Sequence, residues 1–303
     1  MQITPQDKRN LNLAEKASER GDKATALKYY LKAAEVGIVS AMLDCGCIYF
    51  EGRGGVEQNI DKSIEWFTKA ADNGNSAAMN NIGYIFDTLK KHDKAIFWYE
   101  KSAQLGDVVA MLNLSNTYRN SYQDKILAQR WLRKAESLTD TASIRKVAEY
   151  YFIEDVVSNH IDKAIKLYRK AIKMGDTEAY KELGDVYFEL EDFESAHNAY
   201  RDGANRGNVN CMFELGMMLV YVKDCFKPAK YWLEQAFLNG NNYALRVLGE
   251  LHEEYGDFPR ALRYYRKAVL KGITDAAENV TKIKKYLKRH KPDYKLKVRP
   301  FED

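Results

Sequence analysis

Few side chains of this 303-residue sequence stand at spacings that would support metal binding. The five histidines are scattered, and none follows another by three or four residues, so no helix presents two imidazoles to a metal. They are His92, His160, His197, His252 and His290. Four cysteines occur without a CxxC spacing, which disfavours a zinc site or a disulfide framework and fits a reducing compartment. We therefore expect no metal and no cofactor.

The stretch at residues 51–55, Glu-Gly-Arg-Gly-Gly, is rich enough in glycine to suggest a phosphate-binding loop. No strand precedes it in the predicted pattern and no GKS or GKT follows it, so a nucleotide site is not indicated. His252 occupies a position that equivalent segments fill with an aromatic residue, which predicts a packed core histidine. We expect a protein without catalytic activity. An enzyme whose site is assembled from several repeats is a further hypothesis, after the binding functions described below.

Glycine recurs along the whole chain, each time at the end of an apolar-periodic segment. The positions are Gly37, Gly74, Gly106, Gly175, Gly207, Gly240 and Gly272. Successive positions lie 32 to 37 residues apart, except for one interval of 69 that corresponds to two units. A glycine in this place ends a helix by adopting the left-handed conformation. The period predicts about eight helix pairs.

Two side-chain patterns distinguish the helices of each pair. The second helix carries small residues at i and i+7 around a large residue at i+4, as Ser63 and Ala70 surround Phe67. The first helix carries a small residue such as Gly46, with an aromatic such as Tyr49 three positions later. Because a mid-helix glycine costs roughly 1 kcal/mol relative to alanine, its recurrence indicates close helix packing. The large residue is expected to fill the gap between pairs.

No single pair can bury both of its faces, whereas stacked pairs can. The sequence therefore predicts an all-α fold, a right-handed superhelical solenoid of helix-turn-helix repeats. We expect a solenoid domain over residues 1–290 and a basic C-terminal tail over residues 291–303. The expected units are residues 5–37, 38–74, 75–106, 107–140, 141–175, 176–207, 208–240 and 241–272, with a capping helix at residues 273–290.

The clearest unit resembles the Sel1-like repeat, a relative of the tetratricopeptide repeat with longer loops. The matching residues are Tyr49, Gly52, Gly54, Gly55, Val56, Asp61, Ile64, Trp66, Phe67, Ala70, Ala71 and Gly74. The resemblance covers residues 5–272, although most other units have shortened loops. It implies the fold, and it implies an adaptor or scaffold that holds partners rather than performing chemistry.

In solenoids of this kind the first helices line the concave groove, and their residues between the packing positions should face solvent. The predicted partner-binding residues are Asn80, Asn81, Tyr84, Asn113, Asn116, Arg119, Arg145 and Lys146. Asparagine amides both donate and accept hydrogen bonds, so a row of them could hold the main chain of an extended peptide. The three cations could then select an acidic group of that peptide.

The formal net charge of +4 belongs to the C-terminal end of the chain. Residues 282–303 hold nine lysines or arginines and three acids. They could contact nucleic-acid phosphates, which is the alternative function, or fold against Glu250, Glu253 and Glu254. The scarcity of aromatic residues there and the lack of a groove-reading motif favour the self-contact.

Neither a secretion signal nor eighteen consecutive apolar residues are present, so we expect a cytoplasmic protein without a membrane span. The expected function is that of a non-catalytic adaptor that binds a protein or peptide ligand in the concave groove. In bacteria such an adaptor could serve regulation or neutralise a toxin, as an immunity protein does. The sequence indicates neither the partner nor the oligomeric state.

Overall fold

The computed structural model describes residues 4–153, 160–220 and 225–290. Within these ranges the chain forms seventeen helices and no strand, which confirms the predicted all-α repeat solenoid. The chain divides into two compact units, residues 1–160 (unit 1) and residues 161–303 (unit 2).

The described part of unit 1 contains nine helices, in which first and second helices of the pairs alternate. They are α1 (Pro5–Glu19), α2 (Lys23–Glu35), α3 (Val39–Glu51), α4 (Ile60–Asp72), α5 (Ser76–Thr88), α6 (His92–Gln104), α7 (Val108–Asn120), α8 (Lys125–Glu136) and α9 (Thr141–Ile153). From α1 to α8, each first helix packs on the second helix of its pair, and that helix packs on the next pair. The core therefore continues from pair to pair within the unit.

The described part of unit 2 contains eight helices. They are α10 (His160–Lys173), α11 (Glu178–Glu189), α12 (Phe193–Asn205), α13 (Val209–Val220), α14 (Phe226–Leu238), α15 (Ala244–Glu254), α16 (Phe258–Leu270) and α17 (Ala276–His290). The last helix, α17, packs on α16 and buries Ala276, Ile283 and Leu287. Its lysines stay exposed, so it presents a polar outer side.

The closing glycines end the pairs as the period predicts. Their φ angles lie between +80° and +104°, in the region that side chains disfavour. A residue that follows such a glycine often caps the next helix. Asn75 accepts a hydrogen bond of 2.8 Å from the backbone N–H of Ala78, and Asp107 accepts one of 3.1 Å from that of Ala110. These bonds satisfy N–H groups that have no partner inside the helix.

The glycines inside the first helices lie against the large residue of the second helix in the same pair. A Cβ atom added at Gly46 would lie 2.5 Å from a ring carbon of Phe67, and one at Gly83 would lie 2.5 Å from a ring carbon of Tyr99. The predicted close packing is thereby confirmed. The large residue covers its own pair's glycine, rather than only filling the gap between pairs as the pattern had suggested.

Candidate functional site

The glycine-rich stretch at residues 51–55 is a structural turn. Gly52 ends α3 with a φ of 59°, and the carbonyl of Gly54 accepts a hydrogen bond of 3.2 Å from the backbone N–H of Ala24. A Cβ atom at Gly54 would approach the carbonyl oxygen of Gly21 to 2.8 Å. The loop therefore packs against the turn of the preceding pair, which accounts for its glycines without a ligand.

His252 lies in the core of unit 2, as predicted, with 2% of its surface exposed. Its ring stacks on Tyr264 and meets the edge of Phe226, with centroid distances of 5.2 Å in both cases. Burial lowers the pKa of the imidazole, although the nearby carboxylate of Asp257 opposes this effect. The side chain is therefore a packing element. Across the described ranges, no three His, Cys, Asp or Glu side chains group together as a metal ion would require.

The predicted partner-binding residues lie on three first helices of unit 1. Helix α5 carries Asn80, Asn81 and Tyr84, helix α7 carries Asn113, Asn116 and Arg119, and helix α9 carries Arg145 and Lys146. We call these eight residues the asparagine face. Helix α7 contacts both α5 and α9, so the residues come from neighbouring helices of one unit.

Only Tyr84 and Lys146 of the asparagine face are exposed, and the exposed fraction of Tyr84 is 50%. The other six side chains are half-buried, which differs from the solvent-facing positions that the helical pattern predicted. The reason is that amides of neighbouring helices bind one another. The amide nitrogen of Asn113 donates a hydrogen bond of 2.9 Å to the side-chain oxygen of Asn80.

A second set of contacts joins α7 to α9. The side-chain oxygen of Asn116 accepts a hydrogen bond of 2.9 Å from the hydroxyl of Tyr150 and one of 2.6 Å from the guanidinium of Arg119. That guanidinium also lies 5.8 Å from the ring centroid of Tyr150, a cation–π distance. Tyr150 was not among the residues predicted from the sequence. Its neighbour Tyr151 occupies the aromatic position of the repeat pattern, and this adjacency was the only sequence feature that could have indicated Tyr150. These contacts hold the charge of Arg119 in place.

Lys146 on α9 forms an exposed ion pair. The ammonium of Lys146 lies 2.7 Å from the carboxylate of Glu149, and about half of each side chain is exposed. An exposed ion pair of this kind contributes at most ~1 kcal/mol to stability, so the carboxylate of an acidic ligand could take the place of Glu149 as the partner of Lys146. Arg145 is half-buried on the same helix.

Tyr84 extends the asparagine face towards α3. Its ring meets the ring of Phe50 edge-on, with 6.0 Å between the centroids. One helix turn away, the amide nitrogen of Asn81 lies 4.0 Å from the sulfur of Cys47. An exposed aromatic ring beside half-buried amides provides an apolar contact and hydrogen bonds within a short distance of each other.

Asp44 on α3 is the most perturbed carboxyl of this region. It is half-buried, and burial raises its pKa to about 6, with a further contribution from Glu15 that Lys23 partly offsets. A carboxyl perturbed in this way, on a surface that solvent reaches, is a candidate functional group. The place of Asp44 in the sequence of a first helix gave no indication of its burial.

The basic C-terminal end contacts an acidic residue of unit 2. The ammonium of Lys282 on α17 donates a hydrogen bond of 3.0 Å to the carboxylate of Glu253, which confirms the predicted self-contact for this lysine. Other basic side chains of α17 are exposed: Lys284, Lys285, Lys288 and Arg289. The remaining ones lie outside the described residues: Lys291, Lys295, Lys297 and Arg299.

Comparison with protein families agrees with this architecture. The Sel1 repeat model matches residues 12–38, 39–75, 108–140 and 243–273. Two tetratricopeptide repeat models match residues 76–105 and 154–208. The chain therefore carries both Sel1 and tetratricopeptide repeats. No curated protein matches it.

Several solved structures of repeat proteins are similar to this chain. A Sel1 repeat protein from Oxalobacter formigenes is 25% identical, with a TM-score of 0.42, and the match covers 76% of this chain and 99% of that protein. A protective antigen with an SLR fold from uropathogenic Escherichia coli is 23% identical, with a TM-score of 0.42 and 90% of this chain covered. The chain spans only 63% of the antigen's length. Yeast Tom70 is 12% identical, with a TM-score of 0.58, and the match covers 96% of this chain and 67% of the Tom70 chain.

The likeness to Tom70 shows a shared all-α repeat fold. Sel1 and tetratricopeptide repeats are suited to protein–protein interaction, and proteins built from them are typically non-catalytic scaffolds. In the part of the chain that the structure describes, no helix is both long and apolar enough to cross a membrane.

Proposed function

We propose that this chain is a non-catalytic adaptor that binds an extended peptide or protein segment on the asparagine face. The observation that carries the proposal is the amide pair of Asn80 and Asn113, which joins two neighbouring first helices. Each amide uses one of its hydrogen-bonding groups in this pair. The amide nitrogen of Asn80 and the side-chain oxygen of Asn113 take no part in this bond, and they form no hydrogen bond among the described residues. A donor and an acceptor are therefore left for a ligand.

The spacing of the helices suits an extended main chain. Packed helices lie roughly 10 Å apart, and an extended peptide advances roughly 3.3 Å per residue. Because the amides of Asn80 and Asn113 contact each other at 2.9 Å between these helices, their unused groups would meet backbone groups roughly one or two residues apart along the ligand. Because main-chain groups are the same in every peptide, these contacts would contribute affinity but little selectivity.

Selectivity would come from the side chains around the amides. Tyr84, supported by Phe50, offers an aromatic surface to an apolar side chain of the ligand. Arg119, held by Asn116 and Tyr150, offers a positioned cation to a carboxylate. The preferred ligand is therefore a segment that carries an apolar residue and, a few residues away, an acidic one.

The chemistry of the face is that of recognition. Amides, an aromatic ring and cations bind ligands through hydrogen bonds, apolar contact and charge. A ligand that crossed α5, α7 and α9 would have a long segment covered and kept from its own target. In its narrower form, the proposal is that this binding regulates a bacterial partner or neutralises a toxin.

Affinity purification from the native host, followed by mass spectrometry, tests the proposal. The intact chain is compared with two triple variants. The first changes the face: Asn81→Ala, Asn113→Ala and Arg119→Ala. The matched control changes exposed residues of second helix α6: Lys94→Ala, Phe97→Ala and Lys101→Ala. We expect one stoichiometric protein with the intact chain and the control, and its loss with the face variant. Recovery of nucleic acid instead, or equal recovery by all three proteins, contradicts the proposal.

A further inference from the structure

Unit 2 separates its charges between the two kinds of helix. The first helices α11, α13 and α15 carry eight acidic and two basic residues. The second helices α10, α12, α14 and α16 carry four acidic and twelve basic residues. Helix α13 contacts both α11 and α15, so the three first helices form one surface, with seven of its eight acidic residues on α11 and α15. We call it the acidic face.

The centre of the acidic face is apolar. Phe213 and Met217 on α13 are half-buried at its surface. In the repeat pattern, Met217 occupies the position that Asp185 fills on α11 and Glu250 fills on α15. An apolar strip is thus flanked by carboxylates on both sides. Methionine side chains adapt well to apolar groups of a ligand, and phenylalanine adds a large apolar area.

Among the described residues, Glu214 on α13 has no opposite charge in contact with it. Its neighbour Asp185 is paired with Lys181 at 2.6 Å, and Glu250 is paired with Arg246. Within the described ranges, Glu214 itself forms no ion pair and no side-chain hydrogen bond, although it is half-buried. Burial raises the pKa of its carboxyl, and the charge of Lys181 offsets only part of this effect. A cation brought to Glu214 would therefore be favoured.

A segment of the same chain has the matching chemistry. Residues 291–303, which lie outside the described part of the chain, read Lys-Pro-Asp-Tyr-Lys-Leu-Lys-Val-Arg-Pro-Phe-Glu-Asp. Apolar and basic residues alternate from Tyr294 to Arg299. The preceding helix α17 already reaches the edge of the acidic face, because Lys282 contacts Glu253 on α15 at 3.0 Å.

The length of the segment is sufficient. Thirteen residues of extended chain span about 43 Å. Crossing from α15 over α13 to α11 requires about 20 Å, since packed helices lie about 10 Å apart.

We propose that the acidic face binds residues 291–303 of the same molecule. The apolar side chains Leu296 and Val298 contact Phe213 and Met217. The basic side chains leave the extended chain on its opposite side, and their long stems bend back around it to Glu214 and to the carboxylates of α11 and α15. This surface lies in unit 2 and is separate from the asparagine face. A protein that uses the acidic face must therefore first displace the chain's own segment.

Photo-cross-linking within the full chain tests the proposal. Leu296 is replaced by the photoreactive residue benzoylphenylalanine, the monomeric protein is irradiated, and the cross-linked site is identified by mass spectrometry. We expect an intramolecular cross-link to α13, at Met217 or its immediate neighbours. The variant Lys295→Glu/Lys297→Glu/Arg299→Glu should lower the yield roughly tenfold, because attraction to the acidic face becomes repulsion.

A matched control changes three exposed lysines of α17 instead: Lys284→Glu, Lys285→Glu and Lys288→Glu. This variant should keep most of the yield, because its charges lie outside the proposed contact. Cross-links between two copies, cross-links to the second helices, or the absence of any cross-link overturn the proposal. An undiminished yield in the variant at residues 295, 297 and 299 overturns it as well. All replaced residues lie in the segment or on the exposed side of α17, so circular dichroism should show an intact fold throughout.

Discussion

The side-chain amide of Asn113 donates a hydrogen bond of 2.9 Å to the side-chain oxygen of Asn80, across two neighbouring first helices of unit 1. Asn113 directly precedes Leu114, and Asn80 lies two residues before Ile82; both apolar side chains are fully buried. The core therefore holds the helices in the register that brings the two amides together. Because the bond uses only half of each amide, the same pair can support the fold and present groups to a ligand.

Removing one amide should reveal this bond. Asn113→Ala leaves the side-chain oxygen of Asn80 without its partner, so we expect the free energy of unfolding to fall by roughly 1 kcal/mol. Urea denaturation of Asn80→Ala, Asn113→Ala and the double variant measures the coupling, which should be roughly 0.5–1 kcal/mol. Strictly additive effects would show that the amides do not interact in solution.

Gly83 should tolerate no side chain while Tyr99 faces it. A methyl group would lie 2.5 Å from the tyrosine ring, so Gly83→Ala should destabilise the protein by roughly 1–3 kcal/mol. This loss opposes the gain of ~1 kcal/mol that alanine brings to a helix. Adding Tyr99→Leu should recover part of the loss, and thermal unfolding measures each step. A more stable Gly83→Ala protein would contradict the close contact.

Asp44 should make stability depend on pH. Its pKa is raised to about 6 from the ordinary 3.8, so the folded chain keeps this proton where the unfolded chain has lost it. Stability is therefore lost as pH rises from about 4 to 6. Asp44→Asn should match the parent protein near pH 4 and exceed it at pH 8, by at most about 3 kcal/mol in urea denaturation.

The control for Asp44 is Asp72→Asn, which changes an exposed carboxyl of the neighbouring helix α4. It should show no comparable gain at high pH. The same gain from Asp44→Asn at both pH values would instead indicate an effect unrelated to titration.

His252 should make stability fall as pH is lowered, whereas Asp44 makes it fall as pH is raised. Burial lowers its pKa below the ordinary 6.5, so the unfolded chain binds the proton first as pH falls. Stability is lost below about pH 6.5 for this reason. His252→Phe should remove that part of the pH dependence, measured as melting temperatures at pH 5.5 and 7.5. His290→Gln, at an exposed site, should leave the dependence unchanged, and an unchanged slope in His252→Phe would contradict the buried neutral ring.

The fold was predictable because its determinants repeat. Gly46 and Gly83 mark the same close contact in successive pairs, and each closing glycine marks the same turn, so one unit explains the next. The asparagine face depends on single contacts instead. The bond between Asn113 and Asn80 joins residues 33 positions apart, and the one between Tyr150 and Asn116 joins residues 34 apart. A helical pattern assigns a residue to a side of its helix but does not show which side chain of the next helix it meets.

The binding role of the asparagine face is tested most directly with a peptide of defined sequence. Such a peptide is selected on the intact chain from a random phage-displayed library and titrated calorimetrically against three proteins. These are the intact chain, the face variant Asn81→Ala/Asn113→Ala/Arg119→Ala, and the α6 control Lys94→Ala/Phe97→Ala/Lys101→Ala. Loss of these hydrogen bonds should raise the Kd of the face variant roughly hundredfold, and the control should keep the parent affinity. Equal affinity for all three folded proteins would contradict the asparagine face as the binding site.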